Sequence, residues 1–197
     1  MSTVAYRALL VVHLRPVGAH AAKFAALERI REAHDHAFER WRPHLTLIPP
    51  FVFDADVPGL NDRMDALCDA LAPVCAATPP HILTLGQIGS FRLSRYHNIH
   101  LRPTDQTALA SLHAALCAAA RGHVPARALR TKGFTAHASL GQSYSAADKR
   151  EICTAASEAV GLDVAVDSVQ VMYKEASVSG PYALWRELPL EHALGDT

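Results

Sequence analysis

The tetrapeptide His-Leu-Arg-Pro occurs twice in this chain, at 13–16 and 100–103, and each copy ends a segment with the composition of a strand. Each copy is followed by a predicted helix and then by a short apolar segment that contains a His-x-Thr or His-x-Ser tripeptide. The intervals are similar, with 31 residues from His13 to His44 and 37 from His100 to His137. The matching order of elements predicts an internal duplication, and therefore two similar lobes related by a pseudo-twofold axis.

Each half of the duplication is predicted to have the order β-α-β-α-β. Strands are indicated by β-branched residues or by alternation, and helices by apolar residues that recur every three or four positions. Pro49 and Pro50 are expected to end the first His-x-Thr strand, because neither can donate a ladder hydrogen bond. The other predicted strands are 4–14, 81–93, 96–102, 163–174 and 182–189. Helices are predicted over about 19–36, from Leu60 to Val74, after a cap at Thr104 or Asp105, and after the capping box of Ser145 and Asp148.

The two lobes are expected to form one compact bilobal domain over residues 1–190, because no Gly/Ser-rich linker divides the chain. Its internal repeat covers roughly 4–93 and 96–190, and residues 191–197 are expected to form a frayed tail. A pseudo-twofold axis places equivalent strands opposite each other across a shared central cleft, with the helices on the outside.

Composition limits the classes of partner. Half of the 197 residues are apolar, and the 19 basic and 19 acidic residues cancel, so that no global field recruits nucleic acid or an anionic membrane. The four cysteines lack the spacing of a metal or redox motif and are expected to be reduced thiols. The chain shows neither a secretion signal nor an apolar run as long as a membrane span, and we expect a cytoplasmic monomer.

The two His-x-hydroxyl tripeptides supply the candidate catalytic residues. In an extended strand His44 and Thr46 project from one face, and His137 and Ser139 do the same in the second copy. Two imidazoles can carry out phosphodiester chemistry without a metal, since one accepts a proton from the attacking hydroxyl or water and the other protonates the leaving oxygen. The two hydroxyl groups can hydrogen-bond the non-bridging phosphate oxygens as charge develops on them.

Several motifs together resemble the two-histidine phosphoesterase superfamily, and within it the branch named after 2'-5' RNA ligase and 2',3'-cyclic phosphodiesterases. They are Pro-His-Leu-Thr-Leu at 43–47 with the trailing Pro-Pro-Phe, Gly-Ser-Phe at 89–91, His-Ala-Ser-Leu at 137–140, and the C-terminal Tyr182, Leu184 and Trp185. The resemblance covers nearly the whole chain. It implies an α+β fold with two antiparallel sheets that form a V-shaped cleft, and hydrolysis of 2',3'-cyclic phosphates without a metal or other cofactor.

The resemblance also implies roles for the motif residues. His44 and His137 become the catalytic pair, and Thr46 and Ser139 become the phosphate-binding residues. Precedent in the superfamily gives activation of the water to His137 and protonation of the leaving oxygen to His44, whereas the residues alone leave these two roles interchangeable.

The chain departs from the superfamily pattern around the second motif. Many relatives have Pro before the second His and an Ala-Arg pair soon after it, whereas here Ala136 precedes His137 and the dipeptide at 141–142 is Gly-Gln. Because this arginine is missing, any binding of longer RNA that depends on the arginine is expected to be weaker. Arg130 and Lys132, in the basic loop before the motif, are candidates to replace it, and a solvated loop is the alternative interpretation.

Three more residues are candidates for contact with the substrate. Phe51 and Tyr173 carry rings on which a base can stack, and core packing is the alternative for Phe51. His100, the repeat equivalent of His13, is expected either at the cleft or as a partly buried structural residue. His97 and His100 point to opposite faces of a strand, so that no metal site is predicted from them.

The predicted function is a metal-independent phosphodiesterase that hydrolyses 2',3'-cyclic phosphates of RNA ends or small nucleotides to 2'-phosphates. Two alternatives stay open, a 2'-5' RNA ligase that uses the same site in reverse and a nucleotide-binding module without turnover. The chain has neither a Gly-x-x-x-x-Gly-Lys loop nor a Gly-x-Ser-x-Gly turn, which argues against a nucleoside triphosphatase or a serine hydrolase.

Overall fold

The computed structural model describes residues 3–191, so that the predicted tail at 191–197 lies outside the described residues except for Glu191. The strands are β1 (Val4–His13), β2 (Arg15–Pro16), β3 (His44–Ala55), β4 (His81–Arg92), β5 (His97–Pro103), β6 (Ala138–Ser143), β7 (Leu162–Val166), β8 (Ser168–Glu175) and β9 (Ala183–Pro189). The helices are α1 (Ala21–His34), α2 (Val57–Ala76), α3 (Thr107–Ala119) and α4 (Ala146–Ala156), with short 3-10 helices at Phe38–Arg40, Ala126–Ala128 and Ser157–Ala159.

The strands form two antiparallel sheets. The first sheet has the order β3-β1-β8-β9, and the second has the order β2-β7-β4-β5-β6. Helix α2 packs against β9 of the first sheet, whereas α1 and α4 pack against β6 of the second sheet and against each other. The predicted α+β fold with two antiparallel sheets is therefore confirmed.

The two halves of the sequence exchange elements between the two sheets. Strand β4 comes from the first half but pairs with β5 and β7 of the second half. Strands β8 and β9 come from the second half but extend the first sheet beside β1. Helix α1, from the first half, contacts the second sheet so closely that a Cβ on Gly141 would lie 2.6 Å from the Cβ of His34. Each sheet is thus built from both halves of the chain.

Strand β3 continues through Pro49 and Pro50, and the prediction that these prolines end the strand is wrong. The register with β1 shifts here, from Ala8 opposite Phe51 to Leu10 opposite Ile48, so that β3 has one extra residue, which forms a bulge. Because β3 is the edge strand of its sheet, the prolines are exposed and no neighbouring strand needs their missing N–H groups.

Two other predicted boundaries differ from the structure. The predicted strand 163–174 is divided at Asp167 into β7 and β8, which belong to different sheets. The N-cap of α3 is Gln106, whereas Asp105 accepts a hydrogen bond from the backbone N–H of Thr107 at 2.8 Å. The capping box of Ser145 and Asp148 at the start of α4 is present as predicted.

The alternation along β1 separates the main core from a second apolar surface. Ala8, Leu10 and Val12 belong to the main hydrophobic core, whereas Leu9 and Val11 form a small cluster with Met172. Trp41 and Tyr182 pack against this second cluster. The described part of the chain contains no helix long and apolar enough to cross a membrane.

Candidate active site

The two motifs lie on strands that approach each other from the two sheets. His44 begins β3 and alternates with the buried Leu45 and Leu47, and Val11 of β1 lies opposite Thr46. The side chains of His44 and Thr46 therefore project from the face of the first sheet that carries the small apolar cluster. His137 immediately precedes β6, and β3 and β6 contact each other.

The second motif has the same alternation. His137 and Ser139 are partly exposed, whereas Ala136, Ala138 and Leu140 are buried. The predicted alternation of polar and apolar side chains is therefore present in both motifs. Burial is the main cause that lowers the pKa of His44, and positive charge on His137 makes a further, smaller contribution.

Both motif imidazoles are held by the same local hydrogen bond. Nδ1 of His44 lies 2.8 Å from the carbonyl oxygen of Arg42, and Nδ1 of His137 lies 2.9 Å from the carbonyl oxygen of Thr135. A carbonyl oxygen can only accept, so the proton of each neutral ring resides on Nδ1. The lone pair of each Nε2 is thereby left for proton transfer to a ligand.

A second histidine accompanies each motif, and it comes from the His-Leu-Arg-Pro repeat. His13 of β1 lies directly opposite His44 in the ladder. The ring of His100 in β5 lies 5.1 Å from the ring of His137, between centroids, and His100 is only 1% exposed. The repeat that predicts the duplication therefore also places one additional imidazole beside each candidate catalytic histidine.

Burial keeps these imidazoles neutral. It lowers the pKa of His44 to about 4, against the opposing effect of the Arg42 carbonyl and with a further contribution from charge on His13. Burial, followed by charge on His137, lowers the pKa of His100 to about 4. The pKa values of His13 and His137 are also lowered, mainly by desolvation. An anion that enters the cleft would counter this effect and favour the protonated rings.

Aromatic side chains pack against both motif imidazoles. The Trp41 ring lies 4.9 Å from His44 and is stacked on Tyr182 at 4.3 Å. On the other side, Phe91 meets His137 edge-on at 4.9 Å and lies 4.2 Å from His100. Sequence reasoning identified Phe91 and Tyr182 only as parts of family motifs and missed Trp41. Trp41 could have been identified from the sequence by its position three residues before His44.

Gly89 and Asn98 shape the second motif, and sequence reasoning did not assign a role to either. A Cβ on Gly89 would lie 2.5 Å from Nε2 of His100, so that only glycine allows this imidazole to cross the neighbouring strand. The Asn98 amide donates to Oγ of Ser139 at 3.1 Å and also lies within 3.3 Å of His100 Nδ1. The two Asn98 contacts fix the positions of Ser139 and His100 relative to each other.

A buried ion pair connects the segment before His44 with the strand of the second motif. Arg31 of α1 is 2% exposed, pairs with Asp35 at 3.1 Å, and donates to the carbonyl oxygen of Trp41 at 2.8 Å. Gln142 of β6 donates to the other oxygen of Asp35 at 3.2 Å and accepts from the backbone N–H of His36 at 2.9 Å. The ion pair therefore fixes the approach to His44 relative to β6.

Only one of the five candidate substrate-binding residues lies against the motif histidines. His100 contacts His137, as described above. Phe51 is 3% exposed in the main core beside Phe53, and Tyr173 packs on that core with its ring perpendicular to Trp185. Phe51 therefore packs in the core, which is the alternative that the sequence left open, whereas the stacking role of the partly buried Tyr173 stays a prediction. Arg130 and Lys132 are exposed in the loop that leads to His137, and their role stays a prediction.

A cavity of about 910 Å³ adjoins the first motif without containing it. Its wall includes three neighbours of His44. His13 lies opposite His44 in the ladder, the ring of Trp41 contacts the ring of His44, and Pro43 precedes it in the sequence. Within residues 3–191, no group of three or more His, Cys, Asp or Glu side chains is arranged to hold a metal ion.

Two antiparallel sheets that each present a His-x-hydroxyl motif define the class of two-histidine phosphoesterases. Residues 17–177 match the family model of the 2'-5' RNA ligase superfamily, and this chain belongs to that superfamily. Its members are phosphoesterases that act on RNA or nucleotides. A comparison with curated proteins gave no match.

Solved structures share this fold at low sequence identity. Escherichia coli LigT in complex with ATP has a TM-score of 0.57 and 18% identity, with 96% of this chain and 99% of that chain covered. TT0787 of Thermus thermophilus has a TM-score of 0.61 and 17% identity, with 95% and 99% covered. Usb1 of Kluyveromyces marxianus with uridine monophosphate has a TM-score of 0.52 and 12% identity, with 93% and 98% covered. At these identities the similarity concerns the fold alone.

Proposed function

We propose that the protein hydrolyses 2',3'-cyclic phosphates of RNA ends or small nucleotides to 2'-phosphates, with His44 and His137 as the acid–base pair. The observation that carries this proposal is the matched orientation of the two imidazoles. Each Nδ1 is bonded to the carbonyl oxygen two residues earlier, which leaves each Nε2 for the substrate. Thr46 and Ser139 lie two residues further on, on the same strand faces, where they can bind the phosphate oxygens.

The reaction needs one neutral and one protonated imidazole. The neutral Nε2 accepts a proton from water as the water oxygen attacks phosphorus, and the bond between phosphorus and the 3' oxygen breaks. The protonated Nε2 of the other histidine donates its proton to that leaving oxygen, which becomes the 3'-hydroxyl. Hydrogen bonds from Thr46 and Ser139 stabilise the negative charge on the non-bridging oxygens.

The similar structures support a nucleotide substrate. Escherichia coli LigT was crystallised with ATP, with phosphate and with 3'-AMP, and the Usb1 structure contains uridine monophosphate. These ligands share a phosphate group, in most of them attached to a nucleoside, which is the chemical group that the two motifs of this chain are suited to bind.

The test is hydrolysis of 2',3'-cyclic AMP and of a short RNA with a cyclic phosphate end, with products separated by chromatography. His44→Ala and His137→Ala should each lower kcat/KM by about 10²- to 10⁴-fold, because each removes one proton-transfer group. EDTA should leave the rate unchanged. His81→Ala is the matched control, since Nδ1 of His81 also lies near the carbonyl oxygen two residues earlier, at 3.3 Å, yet His81 begins β4 opposite Val166 of β7 and lies on neither motif strand.

Other outcomes distinguish the alternatives. Full activity in either motif variant would exclude the proposed mechanism. Joining of a cyclic phosphate end to a 5'-hydroxyl end, without hydrolysis of the cyclic nucleotide, would favour the 2'-5' RNA ligase. Tight binding of AMP with 2',3'-cyclic AMP left intact would favour a nucleotide-binding module.

A further inference from the structure

The cavity of about 910 Å³ beside His44 is separate from the four motif side chains, and its size is at the upper end of the range of about 300–1,000 Å³ found for small-molecule sites. We propose that it binds the nucleoside attached to the scissile phosphate, and that the carboxylate of Glu187 selects guanine as the base. This inference rests on the proposed function, because it needs a phosphate held between His44 and His137.

The cavity adjoins the first motif through residues of its wall. His13 lines the cavity and lies opposite His44 in the antiparallel ladder, where side chains of paired residues are neighbours on one face. Trp41 forms another part of the wall and is in ring contact with His44. A nucleoside attached to a phosphate at His44 would therefore lie next to the part of the wall formed by His13 and Trp41.

The wall of the cavity combines apolar and aromatic side chains with charged ones. This lining suits a flat aromatic ligand that carries polar groups at its edge. Apolar and aromatic side chains line it from the first sheet and from the segment before β3, among them Phe38, Met172 and Leu184. Arg15 and Arg42 also line it. Burial lowers the pKa of His13, the charge of the two arginines lowers it further, and the charge of Glu187 opposes this effect. Small-molecule sites typically combine such an apolar lining with a few oriented polar groups.

The oriented polar group is Glu187 of β9. Its Oε1 accepts hydrogen bonds from Ser168 Oγ at 2.6 Å and from Gln170 Nε2 at 2.8 Å, and both of these partners are at least 95% buried. Gln170 is itself fixed, because its Oε1 accepts from the backbone N–H of His13 at 2.8 Å. The two hydrogen bonds lower the pKa of Glu187 and keep it ionised. All the hydrogen bonds that the structure describes for Glu187 use Oε1, so Oε2 is left for a ligand.

An ionised carboxylate only accepts hydrogen bonds, and this property distinguishes the bases. Guanine presents N1–H and the N2 amino group side by side, so that both can donate to one carboxylate. Adenine and cytosine present one amino group next to a ring nitrogen that is an acceptor, and uracil presents one N–H between two carbonyl oxygens. A fixed carboxylate therefore favours guanine, and a hydrogen bond to a charged group is worth about 10- to 100-fold in affinity.

The experiment compares kcat/KM for the 2',3'-cyclic phosphates of guanosine, inosine, adenosine, cytidine and uridine, and for the cyclic phosphate of methyl riboside, which has no base. Guanosine should exceed adenosine by about 10-fold or more, and inosine, which lacks the N2 amino group, should lie between them. Glu187→Gln should reduce the ratio of guanosine to adenosine to about 1, because an amide presents a donor as well as an acceptor.

A second variant tests the cavity independently of the carboxylate. Leu184→Trp, at a half-exposed position in the wall, should lower the ratio of guanosine to base-free substrate by filling the cavity. Glu158→Gln is the control, because Glu158 is exposed and paired with Arg29 outside the cavity. It should change neither the rate nor the ratios.

The outcomes separate this inference from the proposed function. Hydrolysis of all substrates at equal kcat/KM, or a guanosine preference that survives Glu187→Gln, would overturn the inference and leave the proposed function intact. Absence of hydrolysis for every substrate, including the base-free one, would overturn the proposed function and the inference with it.

Discussion

Each motif histidine donates its Nδ1 proton to a carbonyl oxygen of its own segment, and this arrangement depends on two residues of local backbone alone. The surroundings then decide how readily each Nε2 takes up a proton. Burial lowers the pKa of His44 to about 4 and lowers that of His137 as well. The neutral form of both rings is thus favoured at neutral pH in the free enzyme.

This has a consequence for the pH dependence of the proposed hydrolysis. The profile of kcat/KM reports the free enzyme, which must hold one neutral and one protonated imidazole. Lowered pKa values keep the base neutral to more acidic pH, and the acid loses its proton as the pH rises through its own lowered pKa. The maximum of kcat/KM should therefore lie below the unperturbed histidine pKa of about 6.5. Measurement of kcat/KM from about pH 4 to pH 8 checks this, and a maximum above about pH 7 would contradict it.

Gly89 gives a residue-scale prediction about the second motif. Gly89→Ala would place a methyl group 2.5 Å from Nε2 of His100, and His100 in turn is in ring contact with His137. The displaced imidazole should lower kcat/KM by about 10-fold or more and lower the free energy of unfolding by about 1–3 kcal/mol. Steady-state kinetics and urea unfolding measure the two effects. Gly180→Ala is the control, because its added Cβ would meet only Val178 at an ordinary 3.9 Å.

At the scale of elements, the sequence predicted those helices whose formation depends on local spacing and capping residues. The helical spacing of Leu60, Met64 and Leu67 and the capping box at Ser145 both correspond to observed helices. The path of β3 through Pro49 and the division of 163–174 into two strands were not predictable in this way. Both depend on which strand lies alongside, since an edge position tolerates proline and Asp167 marks a change of sheet. The cavity residues likewise come from distant segments that share no local motif.

The ion pair of Arg31 and Asp35 gives a prediction at this scale, since it connects α1, the segment before β3, and β6. Asp35→Ala should lower the free energy of unfolding by about 3 kcal/mol, because it leaves the 2% exposed Arg31 without its nearest carboxylate. It should also lower kcat/KM, since Gln142 loses the acceptor that relates β6 to the segment before His44.

A double variant separates the two effects. Arg31→Met with Asp35→Leu removes both charges and should recover most of the lost stability, because an apolar pair can replace a buried ion pair. It should not recover kcat/KM, since the carbonyl oxygen of Trp41 then lacks the donor that fixes this segment. Chemical unfolding and steady-state kinetics on the same samples give both values. Full recovery of kcat/KM in the double variant would show that the ion pair does not position the site.

At the scale of the whole molecule, the duplication in the sequence predicts two sheets, but it does not predict the exchange of elements between them. The first half supplies β4 to the second sheet, and the second half supplies β8 and β9 to the first sheet. Each half of the chain therefore contributes to the candidate site in two ways. It supplies one motif, and it also supplies strands to the sheet that carries the motif of the other half. The repeat boundary near residue 95 is a boundary in sequence and not in the fold.

This exchange predicts that neither half folds alone. A fragment of residues 1–95 would leave β4 without its neighbours β5 and β7, and would leave β1 without β8. Such a fragment exposes unpaired strand edges and part of the core, so that it should show no cooperative unfolding transition by circular dichroism. The complementary fragment of residues 96–197 should behave in the same way, because β8 and β9 lack β1.

The matched control for the fragments is the full chain with a protease site inserted at the exposed turn of Ser94 and Arg95. Cleavage there breaks one peptide bond but leaves every strand pair in place, so the two pieces should remain associated and unfold together in one transition. Circular dichroism and the fluorescence of Trp41 and Trp185, which lie on opposite faces of the first sheet, should follow that transition with the same midpoint. A cooperative transition in either isolated fragment would instead mean that one repeat is an independent domain, and that the exchanged strands are not required for its fold.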